Sequence, residues 1–365
     1  MKILFAIKDM NNAKGGAERV LSQVASGLAK KGHDVSLLTY DRLGGKSYYP
    51  LDKDVKRISL GIGKSQERAN FNETLGRIKA IRRVLQVRKP DIVIPFMHSS
   101  FIPVSLASAG LGIPIIASEH IVPMHYKTRP AQFLLLLLST FFISQITVLS
   151  PNIRRLYPKI VRRKMVVMPN PVEPPMQEFR QDPNNRKTIL NVGRLDEQKD
   201  QKTLIRAFSD LAPVYPDWDI KIFGEGPLRP FLQNLIKRHS LQNRVFLMGT
   251  TPNIGAEYAK ADIFAMPSKY ESFGLATAEA MSYGVPSVGF TECPGTNELI
   301  SHNKNGLLVS KRKKDRIEVF RKALELLMKD EGKRAKLGFG AISEVKKFHP
   351  DIIIGQWEHL VEKYV

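Results

Sequence analysis

The chain is almost without cysteine: Cys293 is its single one. An internal disulfide is therefore excluded, which suits a reducing compartment and rules out a cross-linked scaffold. Long apolar runs are scarce too. The most hydrophobic stretch, FLLLLLSTFFISQITVL at 133–149, is broken by Ser139, Thr140, Ser144 and Gln145. A membrane-spanning helix needs about 20 mostly apolar residues. The stretch reads instead as a buried or interfacial helix over roughly 130–143, followed by a strand. The opening MKILFAIKD loses its apolar run at Lys8 and Asp9, too early for a signal peptide. No G-x-G-x-x-G follows the first strand, so a dinucleotide fold has poor support. Zinc spacing, an RNA-binding aromatic motif and a recognisable helix-turn-helix are also missing.

Acidic residues are short in one half only. Residues 1–170 carry 27 Lys and Arg against 10 Asp and Glu, whereas 171–365 carry 29 against 25. The net charge of +21 therefore belongs mainly to the first half. Such a surface suits nucleic acid, an anionic membrane or an acidic substrate, and a well-solvated basic face is the plain alternative. Lacking a nucleic-acid motif, the chain is expected to meet an anionic membrane surface and not nucleic acid.

What is present is a repeated alternation. Short β-rich apolar runs at 3–7, 35–39, 91–96, 114–119 and 146–150 are separated by helix-length segments. A second series follows at 188–193, 220–224, 245–249, 263–268, 286–290 and 306–310. Continuous apolar runs between helices indicate parallel strands covered on both faces. The series repeats, so the expected fold is α/β with two doubly wound domains. The Pro-rich, aperiodic PNPVEPPMQEFRQDPNN at 169–185 marks the boundary, and 351–365 reads as a terminal helix. Sites in such sheets lie at the carboxyl ends of strands, so the cleft between the domains is the expected binding place.

Several loops have the chemistry for phosphate. Gly15 and Gly16 precede a helix with Val20, Leu21, Val24, Ala25 and Leu28 at helical spacing. Amides there can approach a phosphate, or the pair can be an ordinary tight turn. Arg194 and Lys199 lie in a strand-to-helix loop, where two cations can neutralise a diphosphate or simply be solvated. In IFGEGP, Gly224 and Gly226 let a backbone pass close to a nucleotide, or serve as turn glycines. In YESFGLATAEAMSYGVPSV, a turn at Ser272–Gly274 starts a helix. Amides near Phe273, Gly274 and Leu275 would make another anion site. Glu279, further into that helix, can accept from both hydroxyls of a ribose, and Glu271 from hydroxyls of an attached sugar. A hydrolytic carboxylate pair would be about 5 to 9.5 Å apart. Eight residues of helix span ~12 Å, which does not favour that reading. Two D-x-D strings, Asp52–Asp54 and Asp217–Asp219, do not follow apolar strands. They read as turn chemistry and not as metal sites.

Taken in order, GGAERV, SEH at 118–120, GRLDEQKD at 193–200, FGEGP at 223–227 and ESFGLATAE with EAMSYGVPSV resemble the retaining glycosyltransferases of family 4, with the GT-B fold: two Rossmann-like domains facing a central cleft. The resemblance implies an acceptor-binding, membrane-facing domain at 1–170 and a nucleotide-sugar-binding domain at 171–345. A C-terminal helix at 346–365 would pack back toward the first domain. It implies transfer of a hexose or N-acetylhexosamine from a nucleotide diphosphate sugar, with UDP favoured, and no cofactor or metal. Arg194 and Lys199 would hold the diphosphate and Glu279 the ribose. Glu271 would contact the donor sugar, helped by Phe273, Gly274 and Leu275. Gly16 and Gly224 would line the donor site, and His120 would face the reacting sugar. The acceptor would be a polyprenyl-diphosphate-linked saccharide, met at the cytoplasmic face of the inner membrane. Arg82 and Arg83 of the basic segment 77–89 would take part, with Lys127 and Arg129 beside the apolar helix. A nucleotide-sugar epimerase of the same fold and a non-catalytic basic-surface binding protein are the alternatives.

Overall fold

A computed structural model of the protein describes residues 1–11, 15–62, 70–175, 186–310 and 315–364. The sequence-assigned linker lies partly outside these, at 176–185. The chain forms two compact units, Met1–Pro171 with Pro350–Val365, and Val172–His349.

The first unit begins β1 (Lys2–Ile7), α1 (Gly16–Lys30), β2 (Asp34–Thr39), β3 (Lys56–Ser59) and α2 (Phe71–Arg88). It continues β4 (Ile92–Pro95), α3 (His98–Ser108), β5 (Ile116–Glu119), α4 (Pro130–Ser139), β6 (Gln145–Val148), α5 (Pro151–Leu156), α6 (Lys159–Arg162) and β7 (Met165–Val167). The sheet β3-β2-β1-β4 continues through single parallel bridges, Val93 to Ile115 and Phe96 to Ser118, into β5-β6-β7. The pairs are all parallel. Passing from β1 to β2 steps one way along the sheet; every step from β3 onward goes the other way. Right-handed crossovers then put α1 on one face and α2 to α6 on the other. The packing agrees, with α2 against α3 and α3 against α4.

Two strands escaped the sequence pattern. β3 reads KRIS and is half-exposed at an edge, and β7 is three residues long after a basic run. α2 starts six residues before the basic segment assigned from sequence. Asn70 and Glu73 form a reciprocal capping box there: Asn70 Oδ1 accepts from Glu73 N at 2.8 Å, and Glu73 Oε2 from Asn70 N at 3.0 Å. α4 stops at Ser139 and not near 143, because Lys164 Nζ takes the carbonyls of Thr140 and Ile143, each at 2.7 Å.

The second unit runs β8 (Lys187–Val192), α7 (Gln201–Ser209), β9 (Trp218–Phe223), α8 (Arg229–Arg238), β10 (Val245–Gly249), α9 (Ile254–Tyr258) and β11 (Ile263–Ala265). α10 (Leu275–Ser282), β12 (Ser287–Phe290), α11 (Thr296–Leu299), β13 (Gly306–Val309), α12 (Arg316–Lys329) and α13 (Glu331–Val345) complete it. Its strand order is β10-β9-β8-β11-β12-β13. Ile189, Trp218, Ile220, Ile263 and Val288 fill the core from the strands, with Phe208 of α7 and Phe320 of α12 from the layers around them. The chain order reverses between β8 and β11, the switch point at which open parallel sheets bind ligands. The last helix, α14 (Pro350–Glu362), belongs to the first unit and packs on α1.

Candidate active site

Two loops leave the carboxyl ends of neighbouring strands at that switch point. The loop after β8 carries Arg194 and Lys199; the loop after β11 carries Glu271. Lys199 Nζ donates to Glu271 Oε1 at 2.7 Å, and Ser268 Oγ donates to the same oxygen at 2.6 Å. Both partners are nearly out of water, at 16% and 7% side-chain exposure. The β8 loop is shaped by Asp196, whose Oδ1 accepts from the amides of Gln198 and Lys199, each at 3.1 Å. That is the short-range turn chemistry of aspartate, and it fixes where Lys199 leaves the backbone. Asp200 heads α7 at φ 53°, held by Arg316 Nε at 2.8 Å and Thr203 Oγ1 at 2.8 Å. Arg194 is the exposed cation of the pair, resting on Asp196 at 3.0 Å. An ammonium has three donors, so Lys199 keeps capacity for a phosphate oxygen beside its carboxylate partner.

α10 begins at Leu275 behind Gly274, whose φ of 86° is left-handed. The first amides of a helix have no intrahelical partner and attract anions. Phe273 is buried edge-on against Phe348, which fixes the turn. Glu279 is buried, and its Oε2 accepts from Tyr258 Oη at 2.9 Å. Both glycines of IFGEGP lie where backbones pack closely. Gly224 has φ 137°, and a Cβ there would lie 2.0 Å from the carbonyl oxygen of Gly193. The missing side chain lets two strand ends pass each other. Gly226 likewise lies against the Leu195 backbone.

In the first unit, His120 follows β5 and its ring stacks on Phe96 at 4.9 Å. Ser118 Oγ lies 3.0 Å from His120 Nε2 and accepts from Thr147 Oγ1 at 2.9 Å. Burial pushes the ring down to about 3, keeping it neutral near pH 7. Glu119, beside it, is also buried, and burial raises its carboxyl to about 7. Its oxygens accept from Tyr126 Oη at 2.7 Å and Ile121 N at 3.0 Å. Tyr157 Oη closes the network on the Ile121 carbonyl at 2.8 Å. Gly16 is exposed at the first position of α1, behind Gly15.

The cations assigned to acceptor or membrane divide in two. Arg83 and Lys127 are exposed. Arg82 instead donates to the carbonyls of Ala107 and Ala109 at 2.9 and 2.8 Å, tying α2 to the end of α3. Arg129 donates to His125 O at 3.1 Å. Arg77 is buried, with two nitrogens on the Ile62 carbonyl and its guanidinium over Tyr40. The segment is thus not a uniform basic face; part of its charge caps carbonyls. The apolar α4 does reach solvent, with Leu134 and Leu138 at least half-exposed and Phe141 just beyond at 74%.

The second D-x-D string also needs correction: Asp219 lies within β9, not in a turn, and pairs with Arg186 and with Arg244 at 3.1 Å. Asp52 does make a turn, accepting from Asp54 N at 3.0 Å. The sequence reading did not single out Asp196, Ser268, Tyr258, Thr147 or Glu119. Only Asp196 and Glu119 had a local signal, inside GRLDEQKD and SEH.

Comparison with known proteins gives two family matches that tile the chain: "Glycosyltransferase Family 4" over residues 14–174 and "Glycosyl transferases group 1" over 174–343. A Campylobacter jejuni protein is 30% identical over 368 residues, covering 99% of this chain and 98% of its own. It is named as the alpha-1,4-N-acetyl-D-galactosaminyltransferase of GalNAc-alpha-(1->4)-GalNAc-alpha-(1->3)-diNAcBac-PP-undecaprenol. An uncharacterised glycosyltransferase of Haemophilus influenzae is 29% identical over 90% of each chain. Among solved structures, sucrose-phosphate synthase of Thermosynechococcus elongatus superposes with a TM-score of 0.82 at 18% identity, over 99% of this chain and 98% of that one. Anabaena HepE with UDP and glucose gives 0.79 at 20%, over 99% of each chain. At these identities the structural likeness speaks for the fold, which is GT-B.

Proposed function

The chain belongs to the family 4 glycosyltransferases of GT-B fold, and from that premise we propose that it moves a sugar from UDP to a lipid-linked saccharide with retention of anomeric configuration. The observation that carries the reading is the meeting of Lys199 and Glu271 at the switch point, with Arg194 on the same loop. Arg194 and the remaining donors of Lys199 take the diphosphate oxygens, aided by the first amides of α10. Their positive charge stabilises the departing diphosphate, so the proposed route is metal-independent. Glu279, steadied by Tyr258, accepts from the ribose hydroxyls. Glu271 accepts from a hydroxyl of the donor sugar while holding Lys199 in place. His120 is neutral and offers a ring nitrogen to the reacting sugar; it is not the base. The leaving phosphate oxygen takes the acceptor proton on the same face as the new bond, which preserves configuration.

UDP is favoured because Anabaena HepE was solved with UDP and UDP-glucose. A hexose or N-acetylhexosamine on a polyprenyl diphosphate is favoured by the name of the Campylobacter relative. No helix among the described residues is long and apolar enough to cross a membrane. A peripheral seat on the cytoplasmic face of the inner membrane completes the reading, with Arg83, Lys127 and the exposed side of α4 toward the bilayer.

The test is a thermal-shift screen against UDP, GDP and ADP, followed by transfer to a polyprenyl-diphosphate saccharide with product anomer assigned by NMR. UDP at 100 times its dissociation constant adds about 2.7 kcal/mol of stability. No shift with any nucleotide, or a product of inverted configuration, would overturn the proposal.

A further inference from the structure

Five cations, Arg154, Arg155, Lys159, Arg162 and Arg163, line one cavity of about 380 Å³ on α5 and α6 of the first unit. No carboxylate lines it, and between Glu119 and Glu173 the sequence has no acidic residue at all. Among the described residues none of the five pairs with a carboxylate. Arg154 donates to the Arg162 carbonyl at 3.4 Å and Arg155 to Asn152 Oδ1 at 3.3 Å, contacts that leave their charge uncompensated. Arg154 Nε is buried without a hydrogen-bond partner. Like charges gathered in one concavity repel, and a multivalent oxyanion both offsets that repulsion and matches arginine's fork.

The apolar residues between these cations distinguish the source of the anion. Leu156 and Ile160 stand 49% and 58% exposed, directly after Arg155 and Lys159 in the chain. The pattern is cation then hydrophobe, repeated after four residues. A nucleic acid would leave both hydrophobes in water; a bilayer takes the cations at its headgroups and the hydrophobes below them. The sheet topology supports the same partner. α5 and α6 lie on the face that also carries α4, whose Leu134 and Leu138 are exposed.

We propose that the α5–α6 cavity binds the phosphate headgroup of an anionic phospholipid while Leu156 and Ile160 enter the acyl boundary. This rests on the membrane part of the reading above and not on its transfer chemistry. The site is separate from Arg83 and Lys127.

Co-sedimentation with phosphatidylglycerol/phosphatidylcholine vesicles tests it on the full chain. The triple substitution Arg155→Gln, Lys159→Gln and Arg163→Gln removes exposed charges and should leave the melting temperature unchanged. It should lower partitioning about 100-fold, since about 1 kcal/mol for each of three charges makes about 3 kcal/mol and every 1.4 kcal/mol is tenfold. Leu156→Ser with Ile160→Ser should lower it about tenfold and lower the residual binding in high salt. Equal binding of the triple variant and the parent to anionic vesicles would sink the headgroup site while leaving the membrane reading intact. A parent that ignores anionic vesicles would sink both. Displacement from vesicles by millimolar inorganic phosphate would make this a soluble-anion site, and RNA binding indifferent to Leu156→Ser would make it a nucleic-acid surface; either overturns the proposal.

Discussion

Lys199 and Glu271 come from loops 72 residues apart in sequence and meet at 2.7 Å, with Ser268 on the same carboxylate oxygen. They therefore act as one unit. Removing either leaves a charge that is largely desolvated and uncompensated, so each single change costs stability as well as chemistry. Lys199→Met and Glu271→Gln should each destabilise by about 1–3 kcal/mol, and the double change should cost less than their sum. Urea unfolding of the four proteins measures the coupling. Strict additivity would show that the two side chains do not depend on each other. Both singles should also lose at least 100-fold in transfer rate.

Glu279 and Tyr258 make a graded test of the proposed ribose contact. Glu279→Ala should abolish the thermal shift given by UDP. Tyr258→Phe removes only the hydroxyl at 2.9 Å that steadies the carboxylate, so it should raise KM for the donor several-fold with kcat little changed. An unaltered UDP shift in Glu279→Ala would remove this glutamate from the donor site.

Gly224→Ala separates packing from ligand contact. Its φ of 137° and the 2.0 Å approach to the Gly193 carbonyl leave no room for a methyl group. The substitution should destabilise by about 2–4 kcal/mol in the absence of any nucleotide, since both strain and overpacking apply. Full stability with weakened UDP binding would mean that the glycine serves the ligand instead.

Glu119 should write a pH dependence into stability. Its carboxyl is raised from 4.5 to about 7 by burial, so the folded state holds a proton that the unfolded chain releases. Stability from this group is fully present below about 4.5 and is lost as pH rises through about 7, on the order of 1–3 kcal/mol. Glu119→Gln keeps an oxygen for Tyr126 and carries no titration. Melting temperatures from pH 4.5 to 8 should fall less steeply in that variant; identical slopes would place the titration elsewhere.

Arg77 and Arg83 sit on one helix and should behave oppositely. Arg77→Ala loses two hydrogen bonds to Ile62 and should destabilise by about 1–3 kcal/mol. Arg83→Ala should leave stability within about 0.5 kcal/mol and weaken binding to anionic vesicles. A stable Arg77→Ala protein would contradict the buried role of that guanidinium.

Local sequence sets the alternation of strands and helices. Apolar runs covered on both faces and helical periodicity are local properties, each visible within about a dozen residues. It also determined which loops carry cations and carboxylates, because glycines, turn formers and charges cluster there. The capping box at Asn70 and Glu73 was equally local, and its signal was simply four residues long. The partnerships form only on packing. Nothing near Lys199 in the chain announces Glu271, and nothing near Glu279 announces Tyr258; strand order brings them together. The same holds for charge. Arg77, Arg82 and Arg83 are equivalent in a sequence, yet one is buried, one caps carbonyls and one faces solvent. Burial and backbone acceptors from distant segments set that difference, and they exist only once the helices have packed.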